Sequence, residues 1–224
     1  MKKTVKNKAI FWDYNLKDID LKQPEAKVWF LSRKIKFGDL ITIKHGFSFL
    51  GKHFSDAGSH VVLTPGNFHD KGGFRRRVEK DKWYSGAIPS DYVLKEGDLI
   101  IAMTEQGEGL LGSSAIIPSS GIYLHNQRLG LVNITDAETD GEFLYYLFNL
   151  SSVRKQIRGS ASGTKVRHTS PVRIYEIPVN IPECSVQKGI ASVLASYDTL
   201  IKNNGKRIKA LEEMAQLLYA EWFV

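Results

Sequence analysis

The sequence has a single cysteine, Cys184, so no disulfide can form within the chain. The neighbours of this cysteine, in PECSVQ, supply no base that would activate a thiolate, which favours an inert thiol over a nucleophile. No apolar run approaches the roughly 20 residues needed to cross a bilayer. The basic start, MKKTVKNKAIFW, also lacks the apolar core of a signal peptide. These absences predict a cytoplasmic protein without a membrane segment.

Motifs for metal and nucleotide chemistry are also scarce. The six histidines show no H-x-x-x-H or H-E-x-x-H spacing, and a lone cysteine excludes a cysteine-rich zinc site. No G-x-S-x-G elbow, phosphate-binding G-x-x-x-x-G-K-[ST] loop or Asn/Asp-Pro-Pro-aromatic methyltransferase signature occurs. We therefore expect no catalytic residue, no metal and no cofactor in this chain.

Two weaker patterns leave alternatives. A G-x-G-x-x-G pattern covers Gly107, Gly109 and Gly112, but the following SSAIIPSSG predicts a strand and a turn where a dinucleotide site needs a helix, so we expect a loop at a sheet edge. The acidic pair Asp20 and Glu25 could bind Mg²⁺ with Lys27 beside it, which leaves a small nuclease as an alternative function.

Positive charge is in excess and is clustered. The chain has 31 Lys and Arg against 24 Asp and Glu, a net charge of +7, and such a balance favours nucleic acid as a partner. One cluster lies in KGGFRRRVEKDKW, and the other spans residues 151–175, which hold six basic and no acidic residues. Two such clusters favour nucleic-acid binding over a merely solvated surface.

The candidate DNA-binding residues carry the groups that contact phosphates and base edges. SGTKVRHTS combines cations with hydroxyls in a glycine-containing loop. LHNQRLG lies between two predicted strands, and its polar side chains are equally consistent with a role in holding loops together. The predicted contacts are Lys71, Arg75, Arg76, Arg77, Lys165, Arg167 and His168, with Gln106, Asn126, Gln127 and Arg128 as further candidates.

The hydrophobic pattern predicts an α+β protein. From about residue 35 to residue 134, short apolar runs alternate with turn signals, which predicts a twisted sheet or partial barrel. DGEFLYYLFNLSSVRKQIRG then predicts one helix, with Asp140 as its N-cap and Gly159 at its end. VRIYEIPVNIP follows and predicts a strand.

The C-terminal stretch has apolar residues in unbroken steps of four and three, the repeat of a coiled coil. The predicted pairing positions are Ile190, Leu194, Tyr197, Ile201, Asn204, Ile208, Leu211, Ala215, Leu218 and Trp222. Asn204 is the single polar position, a common device for setting register, and Gly205 beside it could bend the helix. A rod of ~50 Å exceeds the diameter of a compact domain of this size, so we expect it to protrude and to pair. The alternative is a long helix packed on its own domain.

The order of these parts resembles half of a Type I restriction–modification specificity subunit. The resemblance runs from about residue 34 to the end. It rests on KIKFGDLITIKHGFSF, on LKEGDLIIAMT and GSSAIIPSSGIYLHNQRLGLV, on FLYYLFNLSSVRKQIRGSASGTKVRHTS, and on IYEIPVNIPECSVQKGIASVLASYDTLIKNN with LEEMAQLLYAEWFV. Val186 departs from the pattern, because the family usually has Glu before this Gln.

The resemblance implies a domain organisation and a set of partners. Residues 1–34 stay unassigned, residues 35–183 form a DNA target-recognition domain, and residues 184–224 form a spacer and dimerisation helix. The chain is expected to be non-catalytic, to read one half of a bipartite site in double-stranded DNA, and to dock methyltransferase subunits and, where present, a restriction subunit. S-adenosylmethionine is expected in the methyltransferase partner, and a two-fold homodimer is expected to form through the helix. A dimeric DNA-binding regulator without a methyltransferase is the alternative.

Overall fold

The computed structural model describes residues 32–106 and 109–223. The predicted nuclease residues Asp20, Glu25 and Lys27 lie outside these described residues. Arg33 and Lys34, at the end of the unassigned N-terminal segment, belong to the first described strand.

The described chain is β-rich up to residue 134 and mostly helical afterwards. The strands are β1 (Arg33–Lys36), β2 (Ile41–His45), β3 (Phe54–Ser55), β4 (His60–Val62), β5 (Trp83–Tyr84), β6 (Leu99–Ala102), β7 (Thr104–Gln106), β8 (Ser114–Ile116), β9 (Tyr123–Leu124), β10 (Leu129–Ile134), β11 (Val166–His168) and β12 (Pro178–Ile181). The α-helices are α1 (Gly141–Asn149), α2 (Ser151–Gly159), α3 (Pro171–Tyr175) and α4 (Cys184–Phe223). Single 3₁₀ turns lie at Phe37–Asp39, Gly51–His53, Pro65–Asn67, Val78–Lys80 and Ser90–Tyr92. The predicted α+β class with a long C-terminal helix is confirmed.

The strands form a central sheet, a second sheet and two ribbons. The central sheet has the antiparallel order β2-β10-β6-β8. The second sheet has the order β3-β5-β4-β9, in which β4 and β9 run parallel. Two-stranded antiparallel ribbons join β1 to β12 and β7 to β11.

Strand β6 is buried on both faces because a separate hydrophobic core packs on each side of the central sheet. Leu99 and Ile101 point into the core that the sheet shares with α1, α2 and the N-terminal turn of α4. Ile100 and Ala102 point to the other side, into a core shared with the second sheet. This alternation follows from the period of two along a strand, and it places the start of β7 at the edge of both cores.

The helix predicted over residues 141–159 is two helices. Leu150 adopts an extended conformation (φ −61°, ψ 135°) and separates α1 from α2. The last residue of α1, Asn149, accepts a hydrogen bond from Ser114 N at 3.1 Å and donates to Ser114 Oγ at 2.8 Å. These bonds fix the end of α1 to the edge of the central sheet. The predicted N-cap is confirmed, since Phe143 N–H donates to Asp140 Oδ1 at 2.8 Å, and α2 ends at Gly159 as predicted.

The strand predicted over VRIYEIPVNIP is wrong in its first half. Residues 171–175 form α3, with Pro171 in the first turn, a position that suits the fixed φ of proline. Ile174 is fully buried, and the Tyr175 hydroxyl accepts a hydrogen bond from Ile43 N–H at 2.8 Å. Only the second half of the segment, β12, is a strand.

Helix α4 is anchored at its start and exposed along most of its length. Gln187 is 1% exposed. Its Nε2 donates to Glu138 O and Pro182 O, and its Oε1 accepts from Asp140 N, each at 2.9 Å. Further along, the Tyr146 hydroxyl donates to Asp198 Oδ2 at 2.9 Å. Every residue from 196 to 223 is exposed.

The predicted pairing positions therefore differ in their surroundings. Ile190 is partly buried and packs against the core of its own domain, because the first turns of α4 lie against α1, and this leaves less of its side chain for a partner helix. The predicted positions from Leu194 onward are exposed. No helix among the described residues is long and apolar enough to cross a membrane.

Candidate nucleic-acid interface

The ribbon of β7 and β11 brings together residues that are some sixty positions apart in sequence. Gln106 pairs with Val166, and Thr104 pairs with His168. These four side chains share one face because alternate residues of a strand point the same way. Gln106 and His168 are exposed, and His168 Nδ1 lies 3.2 Å from Thr104 Oγ1. One face of the ribbon is therefore a polar surface open to a partner.

The other face of the ribbon is held by Glu105, which is 2% exposed. Its Oε2 accepts hydrogen bonds from the backbone N–H groups of three consecutive residues, Gly109, Leu110 and Leu111, at 2.9–3.1 Å. Its Oε1 accepts from Arg158 Nε and Nη2 at 3.3 Å. Burial favours a raised pKa of Glu105, but these N–H groups and the Arg158 charge outweigh it and hold the pKa below its usual value. Glu105 therefore stays ionised and fixes the ribbon to the loop and to α2.

Arg154 of α2 clamps two loops beside the ribbon. Its guanidinium donates to Leu111 O at 2.8 Å and to Gly109 O at 2.6 Å. A third hydrogen bond, at 3.2 Å, reaches Asp70 O. Asp70 directly precedes the cluster KGGFRRRVEKDKW, residues 71–83, which is called the first basic loop below. Burial lowers the pKa of Arg154 to about 10, so it is still charged at neutral pH. Arg154 and Arg158 belong to the second basic cluster, but both guanidinium groups bind partners inside the protein.

The same contacts explain the G-x-G-x-x-G pattern. The N–H groups that a nucleotide phosphate would need, from Gly109 to Leu111, already bind the Glu105 carboxylate. Gly109 and Gly112 have φ of +118° and +77°, and β8 rather than a helix follows them. The described part of this pattern is thus a turn that supports the ribbon.

The first basic loop contains arginine side chains that bind partners within the protein and one that is accessible. Arg76 Nε lies 3.1 Å from Oδ2 of the buried Asp81, and Arg77 Nη2 donates to Gly66 O at 2.6 Å. Arg75 is exposed; its backbone bonds to Asn67, but its guanidinium group makes no hydrogen bond or ion pair within the described residues. The pKa of the neighbouring His69 is lowered first by burial and then by the Arg75 charge. Of the three arginines, Arg75 offers the most accessible charge.

The turn in LHNQRLG combines internal and exposed residues. His125 is fully buried, its Nε2 lies 3.0 Å from Leu129 O, and burial lowers its pKa to about 4, so it is neutral at physiological pH. Asn126 Oδ1 accepts from Arg128 N–H at 3.0 Å and shapes the turn. The side chains of Gln127 and Arg128 are exposed. His125 and Asn126 thus hold the loop together, whereas Gln127 and Arg128 are accessible to DNA. Each of the two interpretations of this segment applies to part of it.

Backbone hydrogen bonds place this turn next to the ribbon. Met103, between β6 and β7, donates its N–H to Arg128 O at 3.0 Å. Its carbonyl accepts from Thr169 N–H, directly after β11, at 2.9 Å. The structure thus brings Gln106, His168 and the 126–128 turn together, and Arg154 connects them to the loop of Lys71. Arg167 pairs with Glu105 and lies on the opposite face of the ribbon. Lys165, just before β11, is exposed.

Sequence reasoning did not find the supporting residues Glu105, Arg154 and Asn149. Their role depends on loops that are distant in sequence, and no short motif marks them. The alternation in Thr104–Gln106, a buried acid between more accessible polar residues, is the one local signal. Among the described residues, no cluster of three or more His, Cys, Asp or Glu side chains could hold a metal ion.

Cationic and amide side chains around an exposed ribbon are the groups with which proteins contact nucleic acid, so the surface of this domain is typical of nucleic-acid-binding proteins. Residues 32–213 match the sequence model of the Type I restriction modification DNA specificity domain. The chain belongs to this family.

Curated relatives and solved structures agree with this membership. The chain is 30% identical over 83 residues to the MjaIX specificity subunit of Methanocaldococcus jannaschii, covering 37% of this chain and 19% of that protein. It is 26% identical over 185 residues to the Escherichia coli EcoBI specificity subunit, covering 83% and 35%. The structure of a Type I restriction-modification S subunit from M. genitalium aligns with a TM-score of 0.62 at 16% identity, covering 86% and 46%. The chain spans less than half the length of each of these proteins.

Proposed function

We propose that this chain is a DNA-recognition component of a Type I restriction–modification enzyme that reads one half of a bipartite site and performs no catalysis itself. The observation that carries the proposal is the exposed polar face of the β7–β11 ribbon between accessible basic loops, on the fold of this family. The relatives are named specificity subunits, which supports the same role here.

Affinity in this proposal comes mainly from the accessible cations. Lys71, Arg75 and Lys165 are exposed and contact phosphates, together with Arg128 at the neighbouring turn. Each phosphate contact releases condensed counterions, so binding weakens with salt by a slope of about 0.9 per contact. Arg76 and Arg77 contribute less, because their guanidinium groups hold Asp81 and Gly66.

Helix α4 supplies the connection to a second copy of the chain. Its predicted pairing residues from Leu194 to Trp222 are exposed, Ile201 by 64% and Leu211 by 64%. Most of the stability of a helix in a protein comes from packing of its apolar face, which supports a partner along this stripe. Antiparallel pairing over 28 residues, about 42 Å, would hold two recognition domains roughly one DNA turn apart and would select a palindromic bipartite site.

The end of α4 has more apolar surface than one partner helix covers. Leu217, Leu218, Tyr219, Trp222 and Phe223 are each at least 51% exposed. At about 100° per residue they point around most of the helix circumference, a pattern typical of a helix that is surrounded. We assign this end to the docking of methyltransferase subunits, which bring S-adenosylmethionine and the catalytic residues, with a restriction subunit joining the same assembly.

The experiment that tests this function compares the methylated bases of the host genome with and without the gene for this chain. The proposal predicts that one bipartite motif loses its methylation when the gene is deleted. A methylation pattern that stays the same would overturn the proposal and favour a DNA-binding regulator that needs no methyltransferase.

A further inference from the structure

The ribbon of β7 and β11 differs from the basic loops in its chemistry and in the buried carboxylate, Glu105, that holds it from behind. From this difference we infer that its outer face reads bases, with Gln106 and His168 as the specificity-determining residues and Glu105 as the positioning residue behind them. The inference rests on the proposed function and adds to it a division between residues that select the sequence and residues that only hold the DNA.

The shape of the ribbon suits a groove. The major groove of B-DNA admits a two-stranded β-ribbon, and β7 and β11 form an antiparallel pair of three residues each. Its outer face carries Thr104, Gln106, Val166 and His168, and none of these four described residues has an acidic side chain that would repel phosphates. The inner face turns toward the loop of Gly109 to Leu111 through Glu105.

The side chains on the outer face carry directional donors and acceptors. The Gln106 carboxamide matches the N6 donor and N7 acceptor of adenine, the pairing that glutamine makes most readily in the major groove. Thr104 Oγ1 engages His168 Nδ1 at 3.2 Å, which orients the ring and leaves Nε2 for a base edge. In this inference the exposed lysine and arginine side chains of the surrounding loops contact phosphates, which position a protein on DNA without reading its sequence.

Base discrimination also needs a rigid support, since a loosely held side chain accepts more than one base. Glu105 lies between Thr104 and Gln106 in the chain and makes three backbone hydrogen bonds and an ion pair. Few residues in the described interface are held by so many bonds. Glu105 therefore fixes the direction in which Gln106 points, although it does not face the DNA itself.

The test uses the full chain assembled with its methyltransferase subunits and reads the methylated motif. Gln106→Ala and His168→Ala are each expected to relax one position of the motif, with discrimination at that position falling about 5- to 150-fold. The matched variant Arg75→Ala is expected to keep the motif, to weaken binding to all sequences, and to reduce the salt slope by about 1. Thermal unfolding should be unchanged for all three, since each side chain is exposed.

Glu105 is tested through its dependence on Gln106. Glu105→Gln keeps the size of the side chain and removes its charge, and we expect it to relax the same motif position as Gln106→Ala. In the Gln106→Ala background it should relax that position no further, whereas a general loss of structure would add to the effect. Full discrimination in Glu105→Gln would overturn the positioning role.

The failure of this inference is distinguishable from the failure of the proposed function. If the wild-type complex methylates a motif, and neither Gln106→Ala nor His168→Ala alters it, the ribbon does not read bases although the chain still directs methylation. If Arg75→Ala changes the motif instead, the first basic loop is the reading element. If the wild-type complex methylates no motif at all, both the proposed function and this inference are wrong.

Discussion

Replacing Gln187 tests how helix α4 is joined to the domain. This side chain is 1% exposed and makes one fully buried and two partly buried hydrogen bonds, to Pro182 O, Glu138 O and Asp140 N. Gln187→Met keeps the length of the side chain but leaves these groups without partners. At about 1–3 kcal/mol for the buried bond and about 0.5–1.5 for each of the others, we expect a loss of about 2–6 kcal/mol in unfolding free energy.

The assay is urea unfolding followed by circular dichroism at one fixed protein concentration, because association would otherwise change the apparent stability. Gln216→Met is the matched control, since it makes the same substitution on the same helix at an exposed position. We expect less than about 0.5 kcal/mol for the control. A Gln187 variant as stable as the control would refute the argument that these three bonds anchor the helix.

Three further predictions address pairing, charge and the loop clamp. Leu211→Asp should convert a dimer into a monomer in light scattering, whereas Lys202→Asp, off the apolar stripe, should leave the dimer intact. The pKa of Glu105 is lowered in the folded protein, so its contribution is present above the unfolded pKa of about 4.3 and is lost as pH falls through the folded value. The stability gap between wild type and Glu105→Gln should therefore be full at pH 7 and close in acid unfolding, and a gap independent of pH would contradict this. Arg154→Lys removes the guanidinium group that donates to three carbonyls, and we expect the unfolding free energy, measured by thermal unfolding, to fall by about 1–3 kcal/mol. An unchanged melting temperature would show that these hydrogen bonds are dispensable.

Local patterns predicted part of the fold because they report local physics. The N-cap at Asp140 and the helical repeat after Cys184 depend on neighbouring residues, and both were predictable. The break at Leu150 was not, because it depends on Asn149 reaching Ser114, 35 positions away. Residues 172–175 were predicted as part of a strand, but burial of Ile174 and the Tyr175 contact with β2 favour a helix there.

In the candidate interface, too, local sequence predicted some features, whereas others depend on contacts with distant residues. Composition alone indicated the basic loops and the polar ribbon residues, but it could not separate accessible charges from those used inside the protein. Arg77 and Arg154 have the same charge as Arg75, and only the position of distant carbonyl groups distinguishes their roles. The assignment of individual residues to DNA contact stays a prediction.

The most direct test of the account is a map of methylated bases in cells that carry wild-type or Gln106→Ala forms of this chain. We expect one bipartite motif with the wild-type chain and the same motif relaxed at a single position with the variant. A methylation pattern that is the same with the gene, with the variant and without the gene would contradict the claim that this chain selects the DNA sequence.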